Sequence, residues 1–250
     1  MLWDALGITL PGIIACVGAG GKTSLLQSLA RSAGQQDRPA LITATTKMFY
    51  NQVADFRPVV TDDYEVGQEK VVEALKSGKI IAWLSRQNGG KVLGLPPEWL
   101  ARLAAEVPAA YILVEADGAR CSKIKAPAPH EPVIPAGTAM TVGVLNLSTL
   151  GQPLTADNAH RLDLVAAIIN KQAGEVVDWQ DIARLAVHRQ GIFQHARGTK
   201  VLLLSGGDIG TLVAAAQIAG YCKLANANIE RVVVTAGYGC SMKPLAVYRL

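Results

Sequence analysis

The sequence predicts an α/β fold, a mostly parallel sheet covered by helices on both faces, and three observations carry that expectation. Short apolar runs alternate with helical patterns along the chain, the order that builds parallel sheets through crossover helices. Half of the composition is apolar and aromatics make up only 5%, so aliphatic residues dominate, as in strands buried on both faces. A glycine cluster, Gly18-Ala19-Gly20-Gly21, joins the first apolar run to the first helical one.

Residues 12–17 form a continuous apolar run, and 22–33 show helical spacing through Leu25, Leu26 and Leu29. Residues 39–44 predict a second buried strand, stopped by Thr45-Thr46-Lys47, and 66–76 a helix. Residues 79–85 and 91–95 flank Gln87-Asn88-Gly89-Gly90, which predicts a small β-hairpin insertion because Asn and Gly tolerate positive φ. A helix over 96–105 starts with proline, where a missing N–H costs nothing. Residues 110–114 predict a strand running into Glu115-Ala116-Asp117-Gly118. Four prolines make 123–135 a loop. Strands follow over 140–145, 200–204 and 231–235, with helices over 155–169, 178–189 and 210–225. No repeat or linker divides the chain, so residues 1–250 are expected to form one domain.

A formal charge of +4, with no block of like charges, argues against nucleic acid and is compatible with a small anionic ligand. Cys16, Cys121, Cys222 and Cys240 show no CxxC spacing, so incidental thiols are expected rather than a disulfide or zinc framework. Residues 1–10 carry an acid and no basic stretch, unlike a signal peptide, and no apolar run approaches the ~20 residues needed to span a bilayer. A cytoplasmic protein with no membrane partner is expected.

The chemistry concentrates in Gly18-Ala19-Gly20-Gly21-Lys22-Thr23-Ser24. Strand, glycine turn, helix is the context in which consecutive amides and a helix N-terminus surround a phosphate. Glycines keep β-carbons out of the cradle, Lys22 brings a point charge to the β and γ phosphates, and the Thr23 hydroxyl is placed for Mg2+. The pattern GxxxxGK[ST] would put glycine at position 16, where this chain has Cys16. The expected architecture is a P-loop NTPase-like three-layer sandwich, with ATP or GTP and Mg2+ as ligands.

Such a loop needs an acid at a neighbouring strand end. Glu115 and Asp117 are two apart and project to one side of an extended segment, and either is a candidate metal-side and catalytic acid beside Lys22. The Gly118 amide is a candidate γ-phosphate sensor. Thr45, Thr46 and Lys47 end the second strand, and ligands gather beyond the carboxyl ends of strands. They face the γ-phosphate or a second substrate, or are an ordinary polar strand end. Lys125, His130 and Glu131 stand in the stiff proline loop, either over the site or as surface charges. Asp208, in Ser205-Gly206-Gly207-Asp208, is a candidate base contact or a plain helix-start residue.

With these residues named, the sequence resembles the YqeC-like family of selenium-dependent molybdenum hydroxylase accessory proteins. The landmarks are Val17–Thr23, Thr45-Thr46-Lys47-Met48, Glu115-Ala116-Asp117-Gly118-Ala119, Lys125–Pro135 and His160-Arg161. The resemblance implies a maturation factor whose partners are a molybdenum hydroxylase or a molybdenum cofactor intermediate. The expected activity is a Mg2+-dependent NTPase. The alternatives are a non-catalytic, nucleotide-gated module docking on the hydroxylase, and a nucleotidyl- or phosphotransferase acting on a pterin cofactor.

Overall fold

The computed structural model describes residues 1–250 apart from the side chain of Cys240. In chain order the elements are α1 (Leu2–Leu6), β1 (Gly12–Gly18), α2 (Lys22–Gly34), β2 (Ala40–Ala44), β3 (Met48–Phe49), β4 (Val59–Val60), α3 (Tyr64–Lys76), β5 (Ile80–Leu84), β6 (Gln87–Asn88) and β7 (Lys91–Val92). There follow α4 (Pro97–Glu106), β8 (Tyr111–Glu115), β9 (Ile124–Lys125), β10 (Thr138–Asn146), β11 (Ala159–His160), α5 (Leu162–Ile169), α6 (Trp179–Val187), β12 (Thr199–Ser205), α7 (Leu212–Leu224), β13 (Ile229–Ala236) and β14 (Lys243–Arg249).

Nine strands form one sheet in the order β14-β13-β12-β10-β1-β8-β2-β5-β4. Every pairing in it is parallel except that of β13 with the edge strand β14. The expected mostly parallel α/β sandwich is therefore what the chain forms. β1 lies centrally, between β8 and β10, and alternate side chains go to opposite faces. Ile14 and Cys16 pack with Leu25, Leu26 and Leu29 of α2, while Ile13, Ala15 and Val17 join the layer of α3 and α4. Farther along, Leu202, Leu204, Val232 and Val234 pack against α6 and α7. Full burial of each such aliphatic side chain contributes about 1.5–3 kcal/mol before entropy is subtracted.

Several boundaries differ from the sequence expectation. The helix expected over 155–169 begins only at Leu162, because Asn158 bonds locally, accepting from Thr155 N–H at 3.0 Å and donating to the Pro153 carbonyl at 2.8 Å. β11 then pairs with β9, so the loop expected over 123–135 opens with two strand residues ahead of its prolines. The small insertion is a three-stranded sheet, β3-β7-β6, in which Gln87-Asn88 is an arm rather than the turn. β5 belongs to the main sheet. Neither α1 nor β14 was anticipated. No helix among the described residues is long and apolar enough to cross a membrane. Cys16 and Cys222 are buried free thiols, Cys121 is an exposed one, and the expectation for Cys240 lies outside the described residues.

Candidate phosphate-loop site

β1 carries the chain to Gly18, and α2 starts at Lys22, so the turn between them is only three residues long. Cys16 lies inside the strand, fully buried, with Glu115 and Val142 as its pairing neighbours. It lies within β1 and is not part of the turn. Burial, reinforced by the nearby Glu115 carboxylate, pushes the Cys16 thiol well up and keeps it protonated.

Glycine is required where the loop touches the sheet. Gly18 has φ +92°, and a Cβ there would lie 2.2 Å from the Val144 carbonyl oxygen. Gly20 has φ +80°, and its Cβ would meet Asn146 Cβ at 2.5 Å and the Lys123 carbonyl oxygen at 2.6 Å. Outer bonds hold the curl in place: Ala19 N–H donates to Val144 O at 2.9 Å, and Asn146 Nδ2 and Ser205 Oγ donate to Gly20 O at 2.8 and 2.6 Å.

The two strand-end acids do different things. Glu115 ends β8 and its Oε2 accepts from Thr23 Oγ1 at 2.8 Å, with Oε1 3.8 Å from Lys22 Nζ. Asp117 accepts from the Gly18 N–H at 3.0 Å and sits 2.9 Å from both Lys22 Nζ and Lys125 Nζ. Burial raises the Glu115 carboxyl, against the opposing pull of Lys22 and Thr23. Burial works against the Lys22 ammonium, but Asp117 and Glu115 outweigh it and its pKa is raised. Lys22 also donates to Gly18 O at 2.7 Å.

Lys125 is fully buried and donates to Gly118 O at 2.7 Å and to Glu131 at 3.0 Å. Arg161, ahead of α5, makes a two-pronged contact with Glu131 at 2.7 and 2.8 Å. Burial resists ionisation of Glu131, yet Arg161 and Lys125 prevail and hold it at about 2. The charged groups thus alternate in sign from Glu115 through Lys22, Asp117, Lys125 and Glu131 to Arg161.

Above the loop opens a cavity of about 690 Å³. Its floor is Gly20 to Ser24 with Glu115, and its walls come from Thr46 to Phe49, from Gly118 to Lys123, and from Asn146 and Tyr238. The Thr46 hydroxyl is buried there without a hydrogen-bond partner. A second hollow of about 830 Å³ lies where β12 and β13 begin and α7 ends. It has neither glycine loop nor strand-end carboxylate, and ligands in such sheets gather at the carboxyl ends of strands.

Sequence reasoning brought Lys22, Thr23, Ser24, Thr46, Lys47, Glu115 and Glu131 to this cavity, and the structure gathers them there. Outside its lining stand Gly18 and Ala19 at the start of the loop, Asp117 against Gly18, Lys22 and Lys125, and four further candidates. The Thr45 hydroxyl donates to Val133 O at 2.7 Å. Lys125 is consumed by its buried acceptors, and His130 is exposed outside the cavity. Asp208 caps a 3-10 turn by accepting from Thr211 N–H at 3.0 Å and does not line the cavity. Asn146, Ser205 and Arg161 were missed as site residues. The signal for Asn146 and Ser205 was a polar residue closing an apolar strand run.

The sequence model for the family described as "YqeC protein" matches residues 14–163, from β1 into α5. The chain belongs to the YqeC family. The match includes the phosphate loop, both strand-end acids and the Lys125–Glu131–Arg161 cluster. A YqeC-family relative from Escherichia coli (strain K12), "Uncharacterized protein YqeC", is 35% identical over 185 residues, 74% of this chain and 71% of the relative. Among solved structures, chloroplast FtsY from Physcomitrella patens aligns with 96% of this YqeC-family chain at a TM-score of 0.40 and 16% identity. The chain covers 64% of that structure's length.

Proposed function

We propose that this YqeC-family chain binds a nucleoside triphosphate, ATP or GTP, with magnesium, and hydrolyses it as an accessory factor in maturing a selenium-dependent molybdenum hydroxylase. The observation that carries the nucleotide reading is the 2.8 Å bond between Thr23 Oγ1 and Glu115 Oε2 at the head of α2, beside the glycine loop. A hydroxyl in contact with one carboxylate suits magnesium, which takes one or two protein ligands and completes its shell with phosphate and water. The unpartnered Thr46 hydroxyl in the same cavity supplies a further oxygen. When bound, the ion would be held by Thr23 and Glu115 and would neutralise phosphate charge.

The protein's own groups do the rest. Amides of the glycine turn and the first residues of α2 surround the phosphates. Lys22 exchanges Asp117 for phosphate oxygen and stabilises the charge that develops there. Asp117 keeps the Gly18 amide and Lys125, so its work is holding the loop. Residues 1–250 act in this reading as one unit, since β1, carrying the loop, pairs on each side with strands from later in the chain. The accessory role follows from the family resemblance.

Calorimetric titration with ATP and GTP, with and without magnesium, tests the nucleotide reading. Wild type should bind one nucleotide in a magnesium-dependent way and Lys22→Ala should lose at least tenfold, about 1.4 kcal/mol. No binding by wild type at millimolar nucleotide would falsify it. Phosphate release marks an NTPase, pyrophosphate release a nucleotidyl transferase, and tight binding without turnover a nucleotide-gated module. Pull-down of a molybdenum hydroxylase, with and without nucleotide, tests the partner.

A further inference from the structure

Four cations at the rim of the cavity stand without counter-charges. Lys47 follows β2, Lys91 lies in β7, and Arg120 and Lys123 lie between β8 and β9; all four are exposed and line the cavity. None pairs with a carboxylate among the described residues. Exposed cations elsewhere are of both kinds: Arg31 meets Asp55, Arg86 meets Asp62 and Arg102 meets Glu65 and Glu106, while Arg57, Lys70 and Lys76 meet no acid, so what sets these four apart is that they line one cavity. Within the cavity, Lys22 is matched by Asp117, and Glu131 by Lys125 and Arg161.

The backbone sets these cations in place. Lys123 donates its N–H to Asn158 O at 2.9 Å, and its carbonyl accepts from Asn146 N–H at 3.1 Å while packing against Gly20. Arg120 and Cys121 take consecutive left-handed conformations, φ 46° and 63°, within the segment that walls the cavity. Lys91 comes from the opposite wall, paired across the small sheet with Phe49, its ammonium 5.0 Å from the ring centre.

Gathering like charges within about a Debye length costs free energy unless an anion joins them. A magnesium-bound triphosphate carries about two net negative charges, and the loop amides and Lys22 already face them. Four more cations exceed what that ligand requires. We propose that Lys47, Lys91, Arg120 and Lys123 form a second anion site, beside the nucleotide phosphates, for a small-molecule substrate that carries a phosphate group. This rests on the nucleotide reading, which gives the glycine loop to the first anion. The cavity volume of about 690 Å³ is that of a small-molecule site, and Arg120 offers the planar donor fork that suits phosphate.

Pyrophosphate, titrated by calorimetry into protein already saturated with magnesium and a non-hydrolysable ATP or GTP analogue, tests the site. One equivalent should bind wild type. Binding should weaken at least tenfold in Arg120→Gln/Lys123→Gln and in Lys47→Gln/Lys91→Gln. Nucleotide affinity within twofold of wild type would show that both variants are folded. Loaded protein that takes up no pyrophosphate at millimolar concentration overturns the second site and leaves the nucleotide reading standing. Loss of nucleotide affinity in the double variants also overturns it, by giving the cations to the nucleotide. An oligonucleotide that binds the loaded protein and displaces pyrophosphate overturns the small-molecule assignment. Failure of the analogue to bind wild type removes the nucleotide reading, and this site with it.

Discussion

Lys125 Nζ lies 2.9 Å from Asp117 Oδ2, with the lysine wholly removed from solvent. Asp117 in turn holds Lys22 and the Gly18 amide, so a residue of the proline-rich loop fixes the geometry of the phosphate loop without touching the cavity. Removing one member of a buried ion pair leaves an uncompensated charge, which costs ~3–5 kcal/mol. Lys125→Met should destabilise the fold by about that amount in chemical denaturation. A loss below about 1 kcal/mol would mean that Asp117 is held without Lys125.

The two strand-end acids should separate in a paired substitution. Glu115→Gln keeps a group beside Thr23 and should leave the fold intact while abolishing the magnesium dependence of nucleotide binding. Asp117→Asn leaves Lys22 and Lys125 without their shared counter-charge and should lower the unfolding midpoint markedly. Magnesium titration and thermal denaturation of both variants read this out, and the opposite pattern would assign the metal side to Asp117.

Acid should weaken the fold in two stages. Burial, with Lys125 and Arg161 adding to it, holds His160 down at about 4 against an ordinary 6.5. The unfolded chain therefore binds the proton first, and stability is lost as pH falls from 6.5 toward 4. Glu131, held at about 2 against an ordinary 4.5, adds a second loss as pH falls from 4.5 toward 2. Half-burial and solvent screening keep the second stage modest. His160→Gln should flatten the upper stage alone, whereas Arg161→Ala should flatten the lower and also soften the upper, since its charge helps hold His160 down, in denaturation midpoints taken from pH 7 to 3.

Restoring glycine at position 16 should harm the protein. Cys16→Gly would empty a fully buried position in a central strand and free its backbone, for a cost of about 1–2 kcal/mol. Nucleotide affinity should not improve, because the turn begins after Gly18. Gly20→Ala, by contrast, should abolish phosphate binding, since its Cβ has no room beside Asn146 and Lys123. Gly118→Ala, with open space around the added carbon, should leave stability within about 0.5 kcal/mol of wild type.

By itself the sequence determined the elements whose signals are local. The apolar run of β1, the glycines and the periodic leucines of α2 specify strand, turn and helix from neighbouring residues, and the alternation of such units specifies a parallel sheet. The expected boundaries of β2, α3, α4 and β12 lay within about two residues for the same reason. What only the tertiary structure decided is how charges far apart in sequence meet. Glu115 and Asp117 were equivalent as carboxylates two residues apart. They differ because Thr23 comes to one while Gly18, Lys22 and Lys125 come to the other. The β9–β11 pair and the edge strand β14 likewise depend on long-range pairing. A two-residue strand carries too weak a local pattern to be read without its partner. An ion pair exists only once the backbone has brought its members together, so a linear pattern of charges names the participants and folding assigns the partners.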